Sequence, residues 1–185
     1  MKKHIGIYTG TFDPIHEGHL AFTHEAARLC KLDKVVIIPE TTPRGKPNVT
    51  NVKTRLSLIE QAAAAHSHIE ATSLTAPRFT VQDTLPELEQ RFKNTRFTLL
   101  IGSDIVHTFL YRWDGLAELF TRTSFAIGMR EGNTLEEMHS IIAKLEKQYE
   151  LPIRTTFIHT EHSAISSSDI RKNKKRPNGV ETSFI

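Results

Sequence analysis

Three observations predict an α/β fold built on a doubly wound, Rossmann-like parallel sheet. Segments of strand and helix period alternate along the chain, two strand segments are apolar at nearly every position, and loops carrying glycine follow strands. Strands are read at 4–8, 34–38, 69–72, 97–101, 124–128 and 154–158. Helices are read at 18–30, 53–65, 80–92, 115–120 and 134–149.

The first strand has a basic lead, Lys2-Lys3, and a brief apolar stretch that reaches Gly10 without a small-residue cleavage pattern, so it reads as a strand and not a signal. Gly18 opens the first helix. Val35-Val36-Ile37-Ile38 and Thr98-Leu99-Leu100-Ile101 are the nearly continuous runs expected of strands covered on both faces. The helix over 134–149 places Leu135, Met138, Ile141, Ile142 and Leu145 at helical spacing, which is a packing face. Ligands of such sheets bind beyond the carboxyl ends of the strands, where the strand order reverses.

The chain has 185 residues, read as a single domain over 1–185 with a short basic tail at 172–185. At 38% apolar and 24% charged residues it is too hydrophobic for a disordered chain, and no apolar run approaches the roughly 18 residues of a spanning helix. Cys30 has no second cysteine to pair with, so it is expected to be a buried small hydrophobe in a cytoplasmic protein. The net charge of +3 is modest. The one dense basic run, Arg171-Lys172-Asn173-Lys174-Lys175-Arg176, reads as a solvated tail or as a rim for a polyanion, and it lacks the aromatic interleaving of a nucleic-acid surface.

The loop after the first strand carries the chemistry: Gly10-Thr11-Phe12-Asp13-Pro14-Ile15-His16-Glu17-Gly18-His19. Gly10 lets backbone approach a ligand, Asp13-Pro14 fixes a turn, and two histidines three apart at a helix start meet on one face. Free helix N–H groups and two imidazoles there form an anion site whose donors can follow charge developing in a transition state. A metal site is not expected, because no cysteine cluster or third histidine has suitable spacing.

This loop resembles the His-x-Gly-His signature of the nucleotidyltransferase superfamily, and its longer form is most similar to the bacterial nicotinate-nucleotide adenylyltransferase family. Further segments follow in that family's order. Pro43-Arg44-Gly45-Lys46-Pro47 with Arg55-Leu56 is similar to its Pro-Pro-His-Lys-Pro loop and following helix. Arg78 to Leu85 resembles its Tyr-Thr-x-x-Thr-Leu segment. Gly102-Ser103-Asp104 with Trp113 resembles its Gly-Ala-Asp stretch and downstream tryptophan, and Ile165-Ser166-Ser167-Ser168-Asp169-Ile170-Arg171 its Ile-Ser-Ser-(Ser/Thr)-x-Ile-Arg signature.

The resemblance implies transfer of AMP from ATP to nicotinate mononucleotide, with Mg2+ accompanying ATP. It implies catalytic roles for His16, His19, Lys46 and Arg171, and ATP contacts from Gly10, Thr11, Phe12, Gly18, Gly102, Asp104, Ile165, Ser166, Ser167 and Ser168. Acceptor contacts fall to Thr80, Arg112 and Trp113. Only small-molecule substrates are implied, with no membrane or nucleic-acid partner; the oligomeric state is open. Read from the residues alone, Ser166 to Asp169 and Thr80 are also helix caps, Lys46 an ordinary loop lysine, Asp104 a cap or a ribose ligand, and Trp113 a core residue or a stacking platform. Arg44-Gly45 replaces the family's Pro-His, Ser103 stands where alanine is usual, the interval from Asp104 to Trp113 is about one residue long, and 178–185 is a shortened echo of its last helix. These departures touch the acceptor side, and leave open a sister transferase using nicotinamide mononucleotide, phosphopantetheine or a cytidylyl acceptor, or a non-catalytic nucleotide-binding module.

Overall fold

The structure, a computed structural model, describes residues 2–111 and 113–160. Twelve elements follow one another along them: β1 (Lys3–Gly10), α1 (Glu17–Leu29), β2 (Lys34–Pro39), α2 (Val52–Ala63), β3 (Ile69–Ala71), α3 (Val81–Arg91), β4 (Thr95–Gly102), α4 (Ser103–Thr108), α5 (Leu116–Arg122), β5 (Thr123–Gly128), α6 (Leu135–Tyr149) and β6 (Thr155–Ile158). The strands form one sheet in the order β3-β2-β1-β4-β5-β6. Every pairing is parallel, with Ile5 opposite Lys34 on one side and Phe97 on the other.

Strand period explains the two faces. Ile5, Ile7, Val36, Ile38, Phe97, Leu99, Phe125 and Ile127 point to one side, where they join Leu85 and Leu88 of α3, Leu119 and Phe120 of α5, and Met138, Ile141 and Leu145 of α6. Val35, Ile37, Leu100 and Ala126 point to the other and pack on α1 and α2 through Leu20, Phe22, Ala26, Ile59 and Ala63. Each such side chain contributes about 1.5–3 kcal/mol when withdrawn from water, so the sheet is held from both sides. Thr134 caps α6 by accepting from Glu137 N, and Thr80 caps α3 by accepting from Asp83 N.

All six expected strands and all five expected helices are present, with ends shifted by a few residues. β1 and β4 run on to Gly10 and Gly102, so both strands deliver their last residue to the crevice where the order reverses. Two expectations are corrected. Directly after β4 lies α4, which at six residues is too short to declare a helical period. Cys30, the C-cap of α1, is half-buried instead of buried: at the helix end it packs only in part against the core, and that burial pushes the thiol pKa up.

Candidate active site

A cavity of about 410 Å3 opens at the carboxyl ends of β1 and β4. Gly10, Thr11, Phe12, His16, Gly18, His19, Lys46, Gly102, Asp104 and Trp113 line it, which brings together ten of the residues singled out from the sequence. Thr80 does not line it: its hydroxyl is spent on Asp83, accepting from the backbone N and donating to Oδ2 at 2.9 Å, so the capping reading describes it. Phe79, its neighbour, lines the cavity instead. Arg112, Ile165, Ser166, Ser167, Ser168, Arg171 and the tail at 172–185 lie outside the described residues.

The histidine pair is built by the start of α1. His16 is the N-cap residue, extended at φ −152° and ψ 170°, and His19 sits one turn inside. His16 N donates to His19 Nδ1 at 3.3 Å, while His19 N donates to His16 O at 2.9 Å. An Nδ1 that accepts cannot carry the proton, so His19 holds its hydrogen on Nε2 as a donor. The two rings stack with centroids 3.7 Å apart, and Phe12 meets His19 edge-on at 5.0 Å. Burial, then the positive field of Arg130, pushes the His16 pKa down to about 4; His19 is held well below the usual histidine value by burial, then His16, Arg130 and Lys46. Both rings are therefore neutral at pH 7 in a cavity with cations at its rim. His16 Nδ1 is buried without a hydrogen-bond partner among the described residues.

The loops around the pair are fixed by a residue whose part is not legible in its local sequence. Arg55 of α2 is fully buried, and its guanidinium donates to three backbone carbonyls: Nη1 to Thr11 O at 2.6 Å, Nη2 to Glu40 O at 2.8 Å and Nε to Thr50 O at 2.7 Å. Phe12 adopts φ 46°, a left-handed conformation that the surrounding contacts hold in place while its ring lies buried under the loop. Glu40 N donates to Gly10 O, and Glu40 Oε1 accepts from Phe79 N, which ties the β2 loop to both neighbours.

Across the crevice, Arg130 follows β5 and lines the cavity with its Nε 3.3 Å from Asp104 Oδ1. Ser103 explains its own departure from alanine. Fully buried, its hydroxyl accepts from Arg130 N at 3.2 Å and Asn133 Nδ2 at 2.9 Å, so it pins the loop that carries Arg130. A Cβ at Gly102 would overlap Asp104 Oδ1, so glycine is what lets the carboxylate fold back over the strand end. Trp113 packs edge-on against Phe109, with centroids 5.1 Å apart, while lining the cavity: it is partly core and partly wall. Among the described residues no three His, Cys, Asp or Glu side chains already converge as a metal cage, and no helix is long and apolar enough to cross a membrane.

A parallel sheet with a histidine pair and glycine-ended strands at its switch point defines a nucleotidyltransferase-type α/β protein. The chain belongs to the cytidylyltransferase-like family, whose model matches residues 7–173. Among curated relatives, a probable nicotinate-nucleotide adenylyltransferase of Bacillus cereus (strain B4264) is 32% identical over 181 residues, covering 95% of this chain and 87% of the relative. Its counterpart in Bacillus mycoides (strain KBAB4) is 32% identical over 148 residues, 77% of each chain. Among solved structures, a Plasmodium falciparum nicotinic acid mononucleotide adenylyltransferase complexed with NaAD superposes with a TM-score of 0.74 at 21% identity, over 95% of this chain and 86% of that one. The chain thus has an enzyme family's fold, with that family's first motif at the mouth of its cavity.

Proposed function

We propose that this protein transfers AMP from ATP to nicotinate mononucleotide, giving deamido-NAD and pyrophosphate. The observation that carries the reading is the stacked, neutral His16–His19 pair, with a proton-bearing Nε2 on His19, at the head of a cavity that also holds Lys46 and the Trp113 ring. The relatives named above bear that activity in their names, and they cover most of this chain.

In the reaction an acceptor phosphate oxygen attacks the α-phosphorus of ATP, the bond from that phosphorus to the bridging oxygen of the β-phosphate breaks, and pyrophosphate leaves with the electron pair. The nucleophile is already an anion, so no general base is required; what is required is alignment and neutralisation of charge. His19 donates from Nε2 toward the oxygens that gain charge, and His16 Nδ1 offers a second polar contact. Thr11 and the free N–H groups of the α1 start receive phosphate oxygens. Lys46, exposed on its loop, acts as a movable point charge. Arg171 and Ser166 to Ser168 are assigned to the triphosphate by their motif, and Arg112 to the acceptor by its place beside Trp113. Asp104 is assigned to a ribose hydroxyl, for which it must share its carboxylate with Arg130. Mg2+ accompanying the nucleotide would neutralise charge on the phosphates; among the described residues no protein cage for it is formed.

Pyrophosphate release measured with ATP or CTP against nicotinate mononucleotide, nicotinamide mononucleotide and phosphopantetheine tests the assignment. Turnover with ATP and nicotinate mononucleotide is expected to exceed every other pair. Faster release with CTP or with another acceptor overturns it.

A further inference from the structure

Beyond the active-site pair, α1 carries a third histidine that meets two more on a different element. His24 Nδ1 lies 3.0 Å from His68 Nε2, and the ring centroids of His24, His66 and His68 are 4.5 Å (24 to 66), 4.9 Å (24 to 68) and 6.3 Å (66 to 68) apart. All three rings are half-buried, so a small ion in water can reach them. The backbone beneath the second pair is fixed: His66 N donates to Ala63 O at 2.8 Å, Ile69 N to His66 O at 2.9 Å, and Val35 N to His68 O at 2.8 Å.

A tetrahedral ion bonded to imidazole nitrogens at about 2.0–2.1 Å sets those nitrogens roughly 3.4 Å apart and the ring centroids roughly 5 Å apart. The His24–His68 pair needs only a slight opening to match, and the three centroid spacings bracket that value. As the side chains stand, three nitrogens do not yet converge on one point. Rotation of the half-exposed His66 ring would be the movement required to complete the set. Glu17 and Glu25 of α1 lie near enough to His24 to supply the negative field a cation would feel. Imidazole donors of this kind select zinc-type borderline ions over magnesium.

We propose that His24, His66 and His68 form a binding site for a borderline divalent transition metal of the zinc class, which clamps α1 to the turn between α2 and β3. The site is separate from the catalytic cavity, which these three residues do not line, and it stands whether or not the acceptor assignment does.

The test uses the full chain, stripped with a chelator and titrated with Co2+ under visible absorption, then with Zn2+ under calorimetry. Wild type is expected to bind one equivalent of Co2+ with tetrahedral-type absorption, and Zn2+ to raise its melting temperature. His24→Gln combined with His68→Gln should weaken that equivalent by at least about tenfold and abolish the Zn2+ shift. His16→Asn combined with His19→Asn should retain it, which separates this site from the active-site imidazoles. Pyrophosphate release in Mg2+ by the His24/His68 variant reports that it is folded. If that variant has no cooperative melt, the half-exposed His66→Asn is read instead, and unchanged Co2+ affinity there overturns the proposal. Binding of Co2+ by the His24/His68 variant as tight as in wild type overturns it too, as does no bound equivalent in wild type, which leaves an imidazole–imidazole hydrogen bond only.

Discussion

Two loops face each other across the cavity and differ in almost every physical respect. The loop after β1 has Phe12 and Asp13 buried, Thr11 and His16 half-buried, and a backbone gripped by Arg55. The loop after β2 is held at its ends, Glu40 and Thr50, by the same guanidinium, yet Arg44 to Asn48 between them are exposed, and Gly45 at φ 66° has nothing near its missing Cβ. Donors aimed at a transition state gain from being fixed in advance, whereas a cation that must meet an arriving polyanion gains from reach. One buried arginine sets both behaviours, through anchors in the first loop and at the margins of the second.

Breaking the anchor should have the largest effect. Arg55→Met removes the donors of three part-buried carbonyls, and at about 1–3 kcal/mol for an unsatisfied buried group, less where water reaches the oxygen, the loss should be about 2–3 kcal/mol, read as a lower urea midpoint. Arg55→Lys should recover little of it, because one ammonium cannot reproduce a three-pronged fork. A midpoint equal to wild type would detach the two loops from this residue.

Within the rigid loop, His19→Ala should lower turnover by about a hundredfold or more while changing the ATP dissociation constant less, as for loss of an oxyanion-type donor. An unaltered turnover number removes His19 from the mechanism. On the acceptor side the expected effect is smaller. Steady-state kinetics should give a roughly ten- to a hundredfold preference in kcat/KM for nicotinate over nicotinamide mononucleotide, the value of a charge-assisted contact of about 1.5–3 kcal/mol. Trp113→Ala should impair both acceptors and Trp113→Phe should retain much of the stacking. Comparable efficiencies with the two acceptors would remove the preference for the acid.

Lys46→Ala probes the exposed loop. A tenfold or so loss of kcat/KM is expected, and added salt should reproduce part of it, since an exposed charge is screened. The smallest effect concerns protons. His16 and His19 have folded-state pKa values below the unfolded value near 6.5, so the unfolded chain binds more protons in that window. Their contribution to stability is therefore complete above about pH 6.5 and is lost as pH falls toward the His16 value of about 4. NMR titration should find His16 neutral until near pH 4 in the free protein and shifted upward with ATP bound. A free-protein midpoint near 6.5 would mean that the first loop is as open to water as the second.

Much of this was legible in the sequence because it is local. Strand runs, the Thr80 cap and the Gly10 to His19 loop each declare themselves within a few residues. What was not legible depends on distance in space. Arg55 sits in a helix of amphipathic pattern, where a basic residue ordinarily faces water, and its burial follows from where Thr11, Glu40 and Thr50 come to rest. Arg130 has no motif around it; a loop placed by the Ser103 hydroxyl brings it to Asp104. Thr80 offered two roles in the sequence, cap and ligand, and its hydroxyl is engaged in capping its own helix.

The hydrogen bonds of Arg55 to the loops it organises go to main-chain oxygens, with the Asp13 and Glu40 carboxylates near enough to favour its charge. Every amino acid supplies the same carbonyl, so substitutions along 41–49 can alter charge, bulk and hydrogen bonding over the cavity without moving the loop's two endpoints. The scaffold thereby separates inheritance of shape from choice of substrate: one arginine preserves the frame, and the residues strung between its anchors are at liberty to drift toward a different acceptor.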